Sequence, residues 1–428
     1  MLGISELLVA LVTTLFIVQF LKLKWACSRL PPGPTPLPFI GALWMVDFAH
    51  PDETFTKIYG NIFTVWLGHR PAIVLNGFQT LKDGLIVHSE DVSGRPKIPF
   101  FQKISGGKGI IFSNGHTWKQ QRRFGLMALR NMGLGKKAME QRIQEEAHHL
   151  VEHLLSKRGE PLDPSFHIFY SVSNVTVAVL SGHRFSPEDK YFLQLIENFD
   201  NLIKFGGSLS EVSKADPQST FDEDNLVQTV FDLFLAGTET TTTTMCWAIL
   251  LMILYPDIQE KVQKELDAVL GASQLICYED RKKLPYTNAV IHEIQRYSKI
   301  LPLGVPRECV KDTVLQGYHI EKGTVILPHL TSALFDPKEW ETPQLFNPHH
   351  FLTQDGNFVS KEAFLPFSAG HRVCLGEQLA RTEIFIFFAN LLRVFTLHLP
   401  EGVKEINTES IMGGTLRPHP YKVCAVPR

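Results

Sequence analysis

The segment Met1–Leu21 constrains the fold most, because it is almost wholly apolar and Glu6 is its only charge. As a helix it spans about 31 Å, close to the hydrocarbon thickness of a bilayer. Lys22, Lys24 and Arg29 follow at once, and such a positive flank stays cytosolic. The sequence therefore predicts an uncleaved transmembrane signal anchor over 1–21. A cleavable signal peptide needs a basic start and a small-residue cleavage site, and neither is present. A buried core helix is the other alternative, but such a helix is rarely apolar on every face. Leu30-Pro31-Pro32-Gly33-Pro34-Thr35-Pro36-Leu37-Pro38 forbids a helix and favours a stiff extended arm. Residues 22–38 thus read as a basic, proline-rich linker to a domain over 39–428.

With 428 residues, 44% apolar and 20% charged, the chain is too hydrophobic to be disordered and has room for one large domain or a few ordinary ones. Its 30 Phe against 9 Tyr and 6 Trp point to a large apolar core or an apolar pocket, without choosing between them. The net charge of −2 lacks the basic excess that nucleic-acid binding needs. Cys27, Cys246, Cys277, Cys309, Cys374 and Cys424 are scattered, with no CxxC pair and no zinc spacing. They read as reduced thiols, most of them buried and inert.

Ile62–Leu67 and Pro71–Leu75 flank Gly68-His69-Arg70 and read as a hairpin. Beyond them the pattern turns helical. Arg142–Leu155 is amphipathic, and Asn225–Tyr255 is a long helix preceded by Thr220-Phe221-Asp222-Glu223, which fits a capping box. Ile258–Leu270, Tyr286–Ser298 and Val373–Arg393 are further helices, with short strands between Thr313 and Leu327. The fold class is mainly α with a small β portion. The absence of βαβ alternation argues against a Rossmann fold.

The most informative stretch is Phe367-Ser368-Ala369-Gly370-His371-Arg372-Val373-Cys374-Leu375-Gly376. Its glycines let the backbone pass close to something flat. Its lone Cys precedes a helix, whose N-terminus stabilises anionic sulfur. Arg372 adds a cation that can meet a carboxylate. Such a loop suits a Cys ligand to haem iron. A structural Cys in a glycine-rich turn is the alternative, and it would be preferred for Cys374 alone. The whole pattern, FxxGxRxCxG, resembles the haem-binding signature of the cytochrome P-450 family at every fixed position. The resemblance implies the cytochrome P-450 fold, haem b as cofactor, Cys374 as the axial iron ligand, and Phe367, Gly370, Arg372 and Gly376 around it.

Other stretches resemble the same family in the same order. Glu293-Ile294-Gln295-Arg296 is similar to its ExxR motif, and the i, i+3 spacing puts both charges on one helix face. His350, in Pro348-His349-His350-Phe351, stands where many members have Arg, so it closes that network with less charge. Ala236-Gly237-Thr238-Glu239-Thr240 lies inside the long helix, where Gly costs about 1 kcal/mol. The family's distal helix is distorted here to make an oxygen pocket, and Glu239 and Thr240 match the acid–alcohol pair that relays protons to it. Thr can also bond back to a backbone carbonyl; Thr241–Thr244 read as packing residues. Trp118 and Arg122 resemble the WxxxR helix that holds a haem propionate. Arg95 and Arg307 match further propionate contacts, though a solvated surface arginine fits each equally well. Lys119, Arg122, Arg123, Arg130, Lys136 and Lys137 form a basic stretch on the side the family uses to dock NADPH–cytochrome P-450 reductase or cytochrome b-five.

Pro302–Arg307, Gly376–Arg381 and Cys424–Pro427 look like the vertebrate microsomal family 2, near its fatty-acid epoxygenase and drug-oxidising members. Against that pattern the chain is about sixty residues short between Trp118 and Thr240, near 201–220. The missing part corresponds to the roof helices over the substrate pocket. Losing them would admit water to the haem face and expose apolar surface. Phe100, Phe101, Ile104, Phe231, Leu235, Ala236, Leu303, Val305 and Met412 remain as candidate substrate-facing residues, with core packing the equal alternative for each.

The resemblance thus implies a monooxygenase anchored in the endoplasmic reticulum membrane with its domain in the cytosol. It would insert one oxygen atom from O2 into a lipophilic substrate, using NADPH-derived electrons through a flavoprotein. A reductase-independent peroxide isomerase does not need the Glu239–Thr240 pair. A non-catalytic haem-binding protein lacking its roof is the rival from another class.

Overall fold

The computed structural model describes residues 3–42, 45, 53–133, 135, 137–182, 184–186, 189–190, 194, 222–271 and 275–428, with Ile4, Glu53, Thr54, Phe100 and Ser181 as backbone only. The shortened stretch expected near 201–220 lies outside the described residues. Elements are numbered along the chain. Two compact units result: Met1–Pro96 with Pro302–Glu339 and Phe367–Val373, and Lys97–Leu301 with Trp340–Pro366 and Cys374–Arg428.

The first unit begins with helix α1 (Ile4–Cys27), long and apolar enough to cross a membrane, with Leu7, Leu11 and Leu15 exposed. It runs past the expected Leu21 because Lys, Leu and Ala at 22–26 are good helix formers; Pro31 and Pro32 come later. Its last turn is packed: Leu23, Ala26, Cys27 and Leu30 meet the buried cluster of Ala42, Phe55, Phe63, Val65, Trp66 and Val74. The proline arm is extended, as expected, but it is docked. Thr64 Oγ1 donates to Pro31 O (2.8 Å) and Thr64 N to Pro32 O (2.9 Å). A Cβ on Gly33 would lie 1.9 Å from Thr64 O, so only glycine permits this approach.

After α2 (Glu53–Tyr59), strands β1 (Ile62–Leu67) and β2 (Arg70–Leu75) form the expected hairpin, with Leu67 opposite Arg70. Helix α3 (Phe78–Lys82) leads into a π-helical turn over Asp83–Val87. Strands β3 (Arg307–Glu308) and β6 (Val325–Pro328) complete a sheet of order β1-β2-β6-β3, with β2 and β6 parallel. Strands β4 (Thr313–Leu315) and β5 (Tyr318–Ile320) make a separate hairpin, followed by α11 (Leu330–Leu334).

The second unit is helical. It contains α4 (Pro99–Ser105), α5 (Gly115–Asn131), α6 (Lys137–Ser156), α7 (Ser165–Ser181), α8 (Glu223–Leu254), α9 (Pro256–Val269), α10 (Pro285–Ser298) and α12 (Glu377–Val394). Two small antiparallel pairs close the chain: β7 (Phe395–His398) with β10 (Cys424–Pro427), and β8 (Ser410–Met412) with β9 (Leu416–Pro418). α8 is the central column, and Thr241–Met252 is buried without interruption. It lacks an amphipathic stripe because α7, α9, α10, α12 and β9 all pack on it. Each buried Leu, Ile or Phe of that core contributes about 1.5–3 kcal/mol. The N-cap of α8 is Asp222, which accepts from Asn225 N at 2.7 Å, not the expected Thr220, which lies outside the described residues. α12 starts at Glu377 rather than Val373, which leaves Cys374 in the preceding turn. All six cysteines are free. Only Cys246, Cys309 and Cys424 are buried, while Cys277 and Cys374 are exposed.

Candidate active site

Cys374 and Gly376 sit where the loop enters α12. The Cys374 side chain is exposed, yet burial raises its thiol pKa. The two facts agree if the sulfur faces an open space that protein surrounds on most sides. Hydrogen bonds from the Gly376 and Glu377 amides and the Arg122 charge work against that rise. A Cβ on Gly376 would meet nothing, so the space is open there too. Arg122 is half-buried on α5, one turn after the buried Trp118. Burial lowers its pKa and the Cys374 sulfur opposes that shift. Trp118, Gln121, Gly125 and Leu129 form the buried face of α5, and Lys119, Arg123 and Arg130 its exposed side. Lys137 begins α6, also exposed; Lys136 lies outside the described residues.

α8 carries Ala236-Gly237-Thr238-Glu239-Thr240. Contrary to expectation it is a continuous α-helix here. Thr240 Oγ1 donates to Ala236 O at 2.7 Å, a back-bond that satisfies the hydroxyl without breaking the helix. Gly237 has a packing reason: a Cβ there would lie 3.1 Å from Thr176 Oγ1 of α7. Ala236 is exposed in mid-helix and Thr240 half-buried, so this side of the column faces open space. Glu239 is buried and points to the C-terminal hairpin, where Oε1 accepts from Thr415 Oγ1 (2.6 Å) and Arg417 Nε (2.7 Å).

In the first unit, three buried arginines tie loops together through neutral acceptors. Arg95 Nη1 donates to Val305 O (3.0 Å) and Pro306 O (2.8 Å). Arg307 Nη2 donates to Ser368 Oγ (2.9 Å) and Ala369 O (2.8 Å), and Arg372 Nε to Ser93 O (2.8 Å). None is a solvated surface residue: Arg95 is 6% exposed, Arg307 1% and Arg372 7%. Gly370 has φ +71°, and a Cβ would lie 1.8 Å from Leu85 O. The Leu85 backbone thus requires a glycine here. Phe367 is half-buried.

Glu293 and Arg296 of α10 are both fully buried. Arg296 chelates the carboxylate through Nε and Nη2, each at 2.7 Å, and donates to Pro343 O and Leu345 O. Asn347 N adds a bond to Glu293 Oε1 at 2.8 Å. His350 Nε2 accepts from Thr342 N at 3.2 Å, which leaves the proton of a neutral ring on Nδ1. Nδ1 then donates to Glu293 Oε2 at 3.2 Å. A neutral histidine therefore completes the network.

The candidate substrate-facing residues divide. Phe231 and Leu235 pack on Phe169, Tyr170, Val177 and Phe234, which is core packing. Phe101 stacks on Phe112 at 4.0 Å, and Ile104 is half-buried. Met412 is exposed on β8. Leu303 and Val305 are half-buried in the first unit, and the Phe100 side chain lies outside the described residues. The sequence reading missed Arg417, Thr415 and Trp247. Their signal was the i, i+4, i+8 spacing of Glu239, Thr243 and Trp247 on α8, all bonded to one hairpin. It also missed the buried Glu383 and Asp232; the latter accepts from Ile110 N (2.7 Å) and Ile111 N (2.9 Å) and so pins the loop before α5.

The residues present fit a haem. Within the second unit, a thiol facing open space, with two amides and a guanidinium directed toward it, has the soft sulfur that iron takes as a ligand. The family model described as Cytochrome P450 matches residues 31–211 and 208–425. Human Cytochrome P450 2J2 is 42% identical over 484 positions, covering 99% of this chain and 96% of its own. Mouse Cytochrome P450 2J5 is 40% identical, covering 100% and 97%, and human Cytochrome P450 2C8 is 39% identical, covering 96% and 97%. The alignment with the first exceeds the 428 residues of this chain by 56 positions, and the two matched stretches of the family model meet at 208–211.

Proposed function

We propose how this chain, which belongs to the cytochrome P450 family and is a haem-thiolate monooxygenase using haem b, O2 and NADPH-derived electrons, divides the work among its residues. Cys374 would hold the haem iron through its sulfur. Trp118 and Arg122 would hold a propionate, and Arg95 and Arg307 would each be a further propionate donor, as the resemblance implies. Arg372, Phe367, Gly370 and Gly376 shape the loop that carries the ligand. The haem, when bound, supplies the redox chemistry. The chain supplies a sulfur toward which the Gly376 and Glu377 amides donate, an α8 face opened at Ala236, and the Thr240 hydroxyl with Glu239 to hand protons inward. The observation that carries this is Cys374: an exposed thiol in a setting that otherwise buries it.

The substrates are lipophilic. The resemblance to the vertebrate microsomal family 2 points to fatty acids such as arachidonic acid, steroids or xenobiotics, oxidised by hydroxylation or epoxidation. Electrons arrive from NADPH–cytochrome P-450 reductase, or cytochrome b-five, at the exposed Lys119, Arg123, Arg130 and Lys137. The chain is held in the endoplasmic reticulum membrane by α1 with the catalytic units in the cytosol; Lys22, Lys24 and the packed last turn of α1 support that orientation. Purified protein with reductase and NADPH is expected to convert arachidonic acid or another lipophile. The excess of the alignment over the length of this chain favours a second reading, an impaired haem-binding form whose pocket roof is incomplete. NADPH consumption that yields only hydrogen peroxide would select it. Turnover of a fatty-acid hydroperoxide without NADPH would select the isomerase.

A further inference from the structure

Glu239 and Thr240 are neighbours in sequence, but their side chains bond in different directions. Thr240 Oγ1 donates to the main chain at Ala236. The Glu239 carboxylate is enclosed by the C-terminal hairpin: Arg417 takes Oε1 through Nε and Oε2 through Nη2, and Thr415 Oγ1 donates to Oε1. Having donated there, the Thr415 hydroxyl accepts from Thr243 at 2.9 Å. The hairpin is itself pinned one turn further along α8, where Trp247 Nε1 donates to Leu416 O at 2.9 Å. The residue before Arg417 is thus fixed independently of the ion pair.

We propose that Arg417 is a positioning residue for proton delivery: by chelating the carboxylate of Glu239 it holds that group in one orientation next to Thr240. The inference rests on the reading of Glu239 as the acid of the relay. A carboxylate held by two charge-assisted bonds cannot swing without breaking both. A buried carboxylate deprived of its counter-charge takes up a proton or rotates to another partner. Either outcome removes the anion that accepts and returns protons. Arg417 is the more accessible member, with 34% of its side chain exposed against 5% for Glu239, so its replacement disturbs the core less.

The test uses the full chain with reductase, measuring product and hydrogen peroxide per NADPH for wild type, Arg417→Gln, Arg417→Lys, Glu239→Gln and the Glu239→Gln/Arg417→Gln pair. Arg417→Gln is expected to retain the thiolate CO spectrum but to lose about fivefold in product per NADPH, with peroxide rising. Arg417→Lys should recover part of that loss, and the pair should be no worse than either single change, as for residues acting as a unit. The thermal midpoint, read without turnover, should fall more for Arg417→Gln than for the pair. Wild-type coupling in Arg417→Gln, with coupling lost in Glu239→Gln, overturns the inference alone. Unchanged coupling in Glu239→Gln overturns the reading of the acid, and the inference with it. Should Arg417→Gln fail to hold haem, Arg417→Lys decides: a shifted product-to-peroxide ratio supports the inference and an unchanged one overturns it.

Discussion

At the scale of single residues, charges buried in the second unit dominate. The Glu293–Arg296 pair has no exposed atoms to rehydrate if one member is lost. Arg296→Ala is expected to cost about 3–5 kcal/mol, the usual result of stranding a buried charge, while His350→Ala, which removes a neutral donor, should cost about 1–3 kcal/mol. Urea unfolding checks both; equal losses would show that His350 carries charge. Glu383 behaves oppositely. It is fully enclosed on α12, bonded to Thr241, and burial raises its pKa from 4.5 to about 8. Its Oε1 has no hydrogen-bond partner among the described residues. The folded chain therefore keeps a proton that the unfolded chain releases. Stability falls as pH rises from 4.5 toward 8, by about 1.4 kcal/mol per unit, and levels off above. Glu383→Gln should flatten that slope and raise the midpoint at pH 8 but not at pH 4; thermal scans at the two values settle it.

At the scale of elements, what was legible depended on local signals. The β1–β2 hairpin, the amphipathic α6, and α9 and α10 were plain because alternation or helical periodicity marks them. The start of α12 was not, because Val373 and Cys374 have no pattern that separates a turn from a first helical turn. The Gly237 position was read as a helix distortion, whereas close packing of α7 at Thr176 explains it; nothing in the sequence tells which helix will lie opposite. Glu239 and Thr240 stand out in the sequence, but Arg417, which bonds the Glu239 carboxylate, lies 178 positions away, beyond any local pattern. Tethering of the hairpin to α8 yields its own test. Trp247→Phe keeps the ring and loses the bond to Leu416 O, at an expected cost of about 0.5–1.5 kcal/mol. Hydrogen exchange should then rise first in β8 and β9, and a rise spread evenly over α8 would contradict that tether.

At the scale of the whole molecule, much of the Phe excess goes into the core. Phe385, Phe387, Phe388 and Phe395 are core, while Phe101 and Phe367, each in its own unit, stay half-buried. The end of α1 joins the first sheet by apolar packing, and the arm is held to it by the hydrogen bonds of Thr64. Deleting residues 1–27 should release the protein from membranes and also lower its stability, because Leu23, Ala26 and Cys27 leave the cluster around Trp66. A truncated chain as stable as the full one would show that the packing contributes nothing. The central claim is that Cys374 of this shortened chain still holds haem iron as a thiolate. The CO-difference spectrum of the reduced full-length protein tests it most directly. A red-shifted thiolate band that disappears in Cys374→Ala is the expected result; no such band in the wild type, or one that survives the substitution, contradicts the account.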